Sequence, residues 1–184
     1  MRKVGFVGAM LLVAFATAPG RAEKGPGVYT AKLAGEHEVP LVSSTVEGSF
    51  RAEVDEDAQE VRYELSYSGF TTAVRQAHIH IAQPFASGSI MVWLCDSATN
   101  PAPATTDVPP CPQGEGTVTG TIRPSDVGTG SAAQGVSAGE FAEFVAAIRG
   151  GNAYANVHST QSQGGEIRGQ LKPGRGHAQD HDSK

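Results

Sequence analysis

The sequence predicts an all-β protein, an antiparallel Greek-key-like β-sandwich with one short α-helix packed on it. Three observations support this class. Many short segments alternate apolar and polar residues, Gly and Pro separate these segments, and one segment has helical periodicity. Short strands joined by Gly- and Pro-rich turns are typical of antiparallel sandwiches and barrels.

The clearest strand pair lies within residues 46–67. Small or apolar residues occupy every second position from Val46 to Val54, and the pattern resumes from Val61 to Tyr67 after an acidic turn. A strand with one buried face produces this alternation, so the two segments are expected to form an antiparallel hairpin. Further strands are predicted at residues 29–34, 74–82, 89–94, 116–122, 153–158 and 166–171.

The single predicted helix lies in residues 137–151. Ser137 and Glu140 have the spacing of a capping box at its start, and Gly150 supplies a stop. Apolar residues follow at helical spacing, which predicts a face packed on the sandwich: Phe141, Phe144, Val145 and Ile148.

The chain opens with Arg2, Lys3 and an apolar run, which is the pattern of a secretory signal peptide. We assign residues 1–22 to this peptide, residues 28–172 to one β-sandwich domain and residues 173–184 to a disordered tail. The run is shorter than the about 20 residues that a spanning helix needs, so no membrane span is expected in the mature chain. The protein is expected to be secreted or periplasmic.

Charge and motifs exclude several classes of function. The formal net charge is −5, and removal of residues 1–22 takes away three basic residues and no acid, which makes it −8. This balance argues against binding to nucleic acid or anionic lipid. The sequence contains no nucleophile-elbow, zinc-protease, phosphate-loop or dinucleotide motif, so a non-catalytic protein is expected.

The chain has two cysteines, Cys95 and Cys111, which flank a Pro-rich segment. In an exported protein such a pair predicts a disulfide. The alternative is a thiolate metal or redox site, which no CxxC spacing supports.

Three of the six histidines have matching positions in predicted strands. His78 and His80 are two residues apart and therefore share the face that Ile79 avoids, and His158 lies on the corresponding face of a later strand. If these strands are neighbours, the three imidazoles cluster on the outer sheet surface, with the Cys95–Cys111 loop as a candidate cover, and suit copper or zinc. The alternative is that all three are exposed or hydrogen-bonded polar residues that support a turn.

Four segments, "LAGEHEVP", "AHIHIA", "GNAYANVHS" and "GGEIRGQL", resemble in order and spacing the hallmark segments of the CHRD domain, a module common in secreted bacterial proteins. The resemblance implies an extracytoplasmic β-sandwich module. It places the recurrent polar positions of the family at Glu38, His78, His80, His158, Glu166 and Arg168. His37 stands where Gln or Asn is expected, as either an incidental residue or an additional ligand.

Glu166 and Arg168 have two interpretations. They form a surface ion pair worth under about 1 kcal/mol, or Glu166 orients one of the histidines as metal sites require. The leading functional hypothesis is a secreted, non-catalytic CHRD module that binds an unknown protein or extracellular component. The alternative is a copper- or zinc-binding protein that uses His78, His80 and His158.

Overall fold

The computed structural model describes residues 27–104, 106–128 and 130–174. The predicted signal peptide, residues 1–22, lies outside the described residues, as do residues 175–184 of the predicted tail. Among the helices of the described segments, none is long and apolar enough to cross a membrane.

Nine strands in the described residues form one antiparallel sheet. They are β1 Gly27–Ala34, β2 Glu47–Asp55, β3 Glu60–Ser68, β4 Val74–Ile81, β5 Ser89–Cys95, β6 Gly116–Ile122, β7 Ala153–Ser159, β8 Ile167–Gln170 and β9 Lys172–Pro173. The spatial order is β5-β4-β7-β8-β1-β2-β3-β6, and β9 pairs with β1. Pro173, the first residue of the predicted tail, therefore lies in a strand opposite Tyr29.

The sheet curls into a nearly closed, barrel-like shape. Its two end strands, β5 and β6, lie close together, and the Tyr63 hydroxyl on β3 donates a hydrogen bond to the Leu94 carbonyl on β5 over 2.6 Å. The predicted antiparallel all-β class is confirmed. The two layers expected of a sandwich are parts of one continuous sheet.

The predicted hairpin is confirmed as β2 and β3, with Phe50 opposite Leu65. Both side chains are buried, and the Phe50 ring stacks on Tyr63 with centroids 6.2 Å apart. The inner faces of the strands together form one apolar core, as the alternation of their residues requires.

The helix α1, Phe141–Arg149, packs its apolar face into this core, as predicted. It begins later than the capping-box spacing indicates, because Gly139 has a φ of 84° that no helical residue adopts. Ser137 and Glu140 nevertheless keep half of the capping box, since the Glu140 carboxylate accepts a hydrogen bond from the Ser137 N–H over 2.6 Å. The motif closes the turn before the helix instead of capping it.

Candidate metal centre

The three candidate histidines lie on neighbouring strands. β4 pairs with β7 in a register that sets Gln76 opposite His158, His78 opposite Asn156 and His80 opposite Tyr154. All these side chains share the outer face of the sheet, because Ala77 and Ile79 alternate with them and are buried in the core. The adjacency on which the predicted cluster depended is therefore present.

The cluster lies on the outer face of the sheet and is buried there. The exposed fractions of His78, His80 and His158 are 0%, 7% and 6%. The Trp93 ring of β5 stands edge-on to His78 with centroids 4.3 Å apart. Strand alternation separates the core face from the other face, but it does not reveal what covers the other face.

A backbone carbonyl fixes the tautomer of His80. His80 Nδ1 lies 2.9 Å from the Gly88 carbonyl oxygen, which only accepts, so Nδ1 carries the proton and Nε2 carries the lone pair. His158 has an acceptor at each nitrogen, because Nδ1 lies 2.9 Å from the Gln163 carbonyl oxygen and Nε2 lies 3.1 Å from Asn156 Oδ1. A neutral His158 ring therefore donates to one of these two oxygens. Metal-binding histidines are oriented by this same kind of bond.

The ring nitrogens converge. One nitrogen from each of His78, His80 and His158 lies within 4.8 Å of the others. His78 Nδ1 is 3.2 Å from His158 Nε2, a hydrogen-bond distance that is also close to the about 3.3 Å between two nitrogens bound to one tetrahedral ion at about 2.05 Å. Nε2 of His80 is buried and has no hydrogen-bond partner within the described structure. The donor set thus fits a transition-metal ion.

Burial also keeps these rings neutral. Removal from water lowers the pKa of His80 to about 4 and lowers the pKa of His78 well below its ordinary value. Burial likewise lowers the pKa of His158, and the nearby Arg75 charge adds to this shift. A neutral imidazole is the form that binds metal, so at neutral pH no proton has to be displaced.

Gln76 is a candidate ligand that the sequence interpretation missed. It precedes His78 by two residues, stands opposite His158 and points to the same face. Its Oε1 atom is buried without a hydrogen-bond partner among the described residues. The signal was present in the sequence, because Gln76, His78 and His80 alternate along one strand.

A second polar group adjoins the histidines. The Tyr154 ring lies parallel to His80 with centroids 4.7 Å apart, and the Arg168 guanidinium carbon lies 3.4 Å from the centre of the same tyrosine ring. Glu38 is also buried beside Arg168. Burial raises the pKa of Glu38 to about 7, although the Arg168 charge and the Asn156 side chain oppose the shift.

The interpretation of Glu166 and Arg168 as a surface ion pair is wrong. Glu166 and Arg168 are buried, with exposed fractions of 7% and 2%, so they are not a surface pair. The Glu166 carboxylate accepts hydrogen bonds from the hydroxyls of Ser44, over 2.9 Å, and Ser159, and these bonds do not reach a histidine ring. Glu166 lies near the histidine cluster because its hydrogen-bond partner Ser159 directly follows His158 in the sequence.

His37 lies apart from the three-histidine cluster. Its Nδ1 atom is 3.2 Å from the Arg168 carbonyl oxygen, and its side chain is 45% exposed. The structure does not bring it to the other three rings, so the interpretation of His37 as an additional ligand has no geometric support.

The predicted disulfide between Cys95 and Cys111 is confirmed. The alternative of a thiolate metal or redox site is wrong, because neither sulfur is free.

The fold and site define a class: an all-β module with a buried cluster of three neutral imidazoles on the outer side of its sheet. A family model described as the CHRD domain matches residues 29–171, and the chain belongs to this family. The resemblance seen in the four sequence segments is thereby confirmed. No curated protein and no solved structure gives a significant match to the chain.

Proposed function

We propose that this protein is an exported, non-catalytic CHRD module that holds one copper or zinc ion between His78, His80 and His158. The observation that carries the proposal is the convergence of three buried imidazole nitrogens within 4.8 Å, and the Gly88 carbonyl fixes the tautomer of one of them, His80. The Cys95–Cys111 disulfide supports residence outside the reducing cytoplasm.

The ligand type favours copper or zinc. The three ligands are buried imidazoles, and burial lowers the pKa of each, so all three are neutral at neutral pH. Neutral imidazole suits zinc and copper.

Metal titration of the untagged protein, ending at residue 174 so that His177 and His181 are absent, tests the proposal. Zn(II) and Cu(II) are titrated by calorimetry, and Cu(I) by competition with a chromophoric chelator. His80→Ala and His158→Ala are each expected to weaken binding by at least about 100-fold, because each removes a ligand. If an alanine variant does not fold, His80→Gln or His158→Gln is used in its place.

His37→Ala is the matched control, since this half-exposed imidazole lies outside the cluster. The metal affinity of His37→Ala is expected to stay within about twofold of wild type, a change in binding free energy of less than about 0.5 kcal/mol. Absence of binding to the wild-type protein, or equal binding by the His80 and His158 variants, refutes the proposed site.

We further propose that Gln76 Oε1 supplies a fourth ligand, because this buried atom has no other partner within the described structure. Gln76→Leu removes the oxygen and is expected to lower the metal affinity about tenfold. Gln76→Glu supplies an anionic oxygen and is expected to raise the Zn(II) affinity above that of Gln76→Leu. Equal affinities for wild type, Gln76→Leu and Gln76→Glu contradict this role.

A second proposed function is binding of a partner protein or extracellular component after export. Phe85 supports it, since this large apolar side chain is 90% exposed on the described surface. Cross-linking of the exported protein in its producing cells tests this function, and absence of any cross-linked product refutes it. N-terminal sequencing of the same exported material tests the proposed signal peptide, with Glu23 as the expected first residue.

A further inference from the structure

A cleft of about 710 Å³ lies between the loop around Phe85 and the outer side of strands β1, β8 and β9. Pro84 and Phe85 form one side, and Arg168 and Gln170 contribute from β8. The volume lies within the about 300–1,000 Å³ that is usual for binding pockets. The cleft does not include the three histidines, so it is separate from the candidate metal centre.

Phe85 occupies a position that does not suit its side chain. The Ala86 N–H donates a hydrogen bond to the Gln83 carbonyl, which closes a turn with Pro84 and Phe85 at its centre. Phe85 has a φ of 65°, which glycine adopts readily and a bulky residue adopts only at a cost. It gains little from burial in return, because its side chain is 90% exposed. Folding therefore does not explain a phenylalanine here, whereas binding does.

The cleft is basic in an acidic protein. The chain has 19 acidic and 14 basic residues, yet the residues lining the cleft include the exposed Lys32 and Lys172 and no acid. Arg168 also lines the cleft, but it is 2% exposed and its guanidinium lies against the Tyr154 ring, so its charge is not presented to a ligand. Within the described residues Lys172 forms no ion pair. Lys32 only approaches Glu47 at 4.0 Å, with both side chains 72% exposed. Such a pair is worth little and leaves the Lys32 charge accessible to a ligand.

We infer that this cleft binds an acidic peptide segment that carries an apolar or aromatic side chain, and the inference rests on the second proposed function. Lys32 and Lys172 match carboxylates of the partner, and Phe85, Pro84 and Pro173 match its apolar side chain. A sulfated polysaccharide matches the charges alone, because it offers no apolar group to Phe85.

The test uses the mature chain, residues 23–184, with a chelator present so that metal plays no part. The probe is the peptide Glu-Phe-Glu-Phe-Glu amide with fluorescein attached to its N-terminal nitrogen, and binding is followed by fluorescence anisotropy. Phe85→Gly and the double variant Lys32→Gln/Lys172→Gln are each expected to weaken binding at least about tenfold. Added salt is expected to weaken the wild-type complex, because exposed charges are screened.

Matched controls separate the cleft from general effects. Leu41→Ser removes another exposed apolar side chain, and Arg51→Gln/Arg62→Gln makes the same charge change on strands β2 and β3. Both are expected to bind the probe as wild type does. Phe85→Gly is expected to melt at no lower temperature than wild type, since glycine suits the positive φ. A binding loss therefore does not come from unfolding.

Several results overturn the inference. One is that wild type and Phe85→Gly bind the probe with the same affinity. Another is that wild type binds a probe with Ser in place of Phe as tightly as the original probe. A third is that the protein prefers a heparin oligosaccharide to the probe and that Phe85→Gly does not change this preference. In the producing cells, a cross-linked partner retained by Phe85→Gly overturns the cleft but leaves the second proposed function standing. Loss of that cross-link together with loss of the peptide supports both.

Discussion

Glu38→Gln is expected to change the pH dependence of folding. Glu38 follows the 3₁₀ turn Gly35–His37, and its side chain is buried with an exposed fraction of 8%. Its Oε1 atom has no hydrogen-bond partner in the described structure, so ionisation places a poorly solvated charge there. Glutamine has nearly the same shape and carries no charge at any pH.

The magnitude follows from the raised pKa. Burial raises the pKa of Glu38 from 4.5 to about 7, although Arg168 and Asn156 oppose the shift. The folded protein therefore holds this proton more tightly than the unfolded chain, and the resulting stability is complete below pH 4.5 and lost as pH rises to 7. This rise in the pKa of Glu38 corresponds to about 3 kcal/mol as an upper limit. Relative to wild type, Glu38→Gln is expected to gain up to this amount between pH 4.5 and pH 8.

Urea denaturation of both metal-free proteins at a series of pH values measures this difference. The buried histidines act in the opposite direction, because burial lowers the pKa of His80 to about 4 and stability is lost as pH falls from 6.5 through that value. Both proteins contain the same histidines, so this contribution cancels in the difference between them. A difference that stays constant from pH 4.5 to 8, or that favours wild type increasingly at high pH, refutes the reasoning.

Two further substitutions test the packing. Phe144→Ala removes a fully buried ring of α1 and is expected to lower the free energy of unfolding by about 3–5 kcal/mol. Leu41→Ala, at an exposed position, is expected to change it by less than about 0.5 kcal/mol. An unchanged denaturation midpoint for Phe144→Ala contradicts the docking of the helix. Tyr63→Phe removes the hydrogen bond to the Leu94 carbonyl across the nearly closed edge of the sheet. It is expected to lower the free energy of unfolding by about 1–3 kcal/mol in the same assay. A decrease below about 0.5 kcal/mol shows that this hydrogen bond does not hold β3 to β5.

The strands were predictable because each has a buried inner face. Residues 116–122 were predicted as a strand and form β6 with the same bounds, and the predicted segment Val46–Val54 differs from β2 by one residue at each end. Alternation records which side of a strand meets the core, and a one-residue error would turn every side chain to the wrong face. The local pattern is therefore sufficient to locate a strand.

The pairing of distant strands was not predictable from the same pattern. β4 lies next to β7 and β1 lies next to β8, although long segments of chain separate each pair. Alternation contains no information about which strand comes alongside, so the meeting of His78 and His158 remained conditional until the register was known. The start of the helix was predicted too early for a different reason. Gly139 has a positive φ, which ends the helical conformation before α1 despite the capping-box spacing.

The loop between β7 and β8 packs closely on the polar residues of the outer face. Gly165 in that loop has a φ of 126°, and a Cβ atom at this position would lie 2.3 Å from Glu38 Oε1 and 2.8 Å from Asn156 Nδ2. Any other residue would be strained at this φ and would displace the Glu38 and Asn156 side chains. The same loop provides the Gln163 carbonyl that lies 2.9 Å from His158 Nδ1, and Asn156 Oδ1 lies 3.1 Å from Nε2 of that ring. The segment that requires glycine at residue 165 therefore also sets the contacts at both nitrogens of His158.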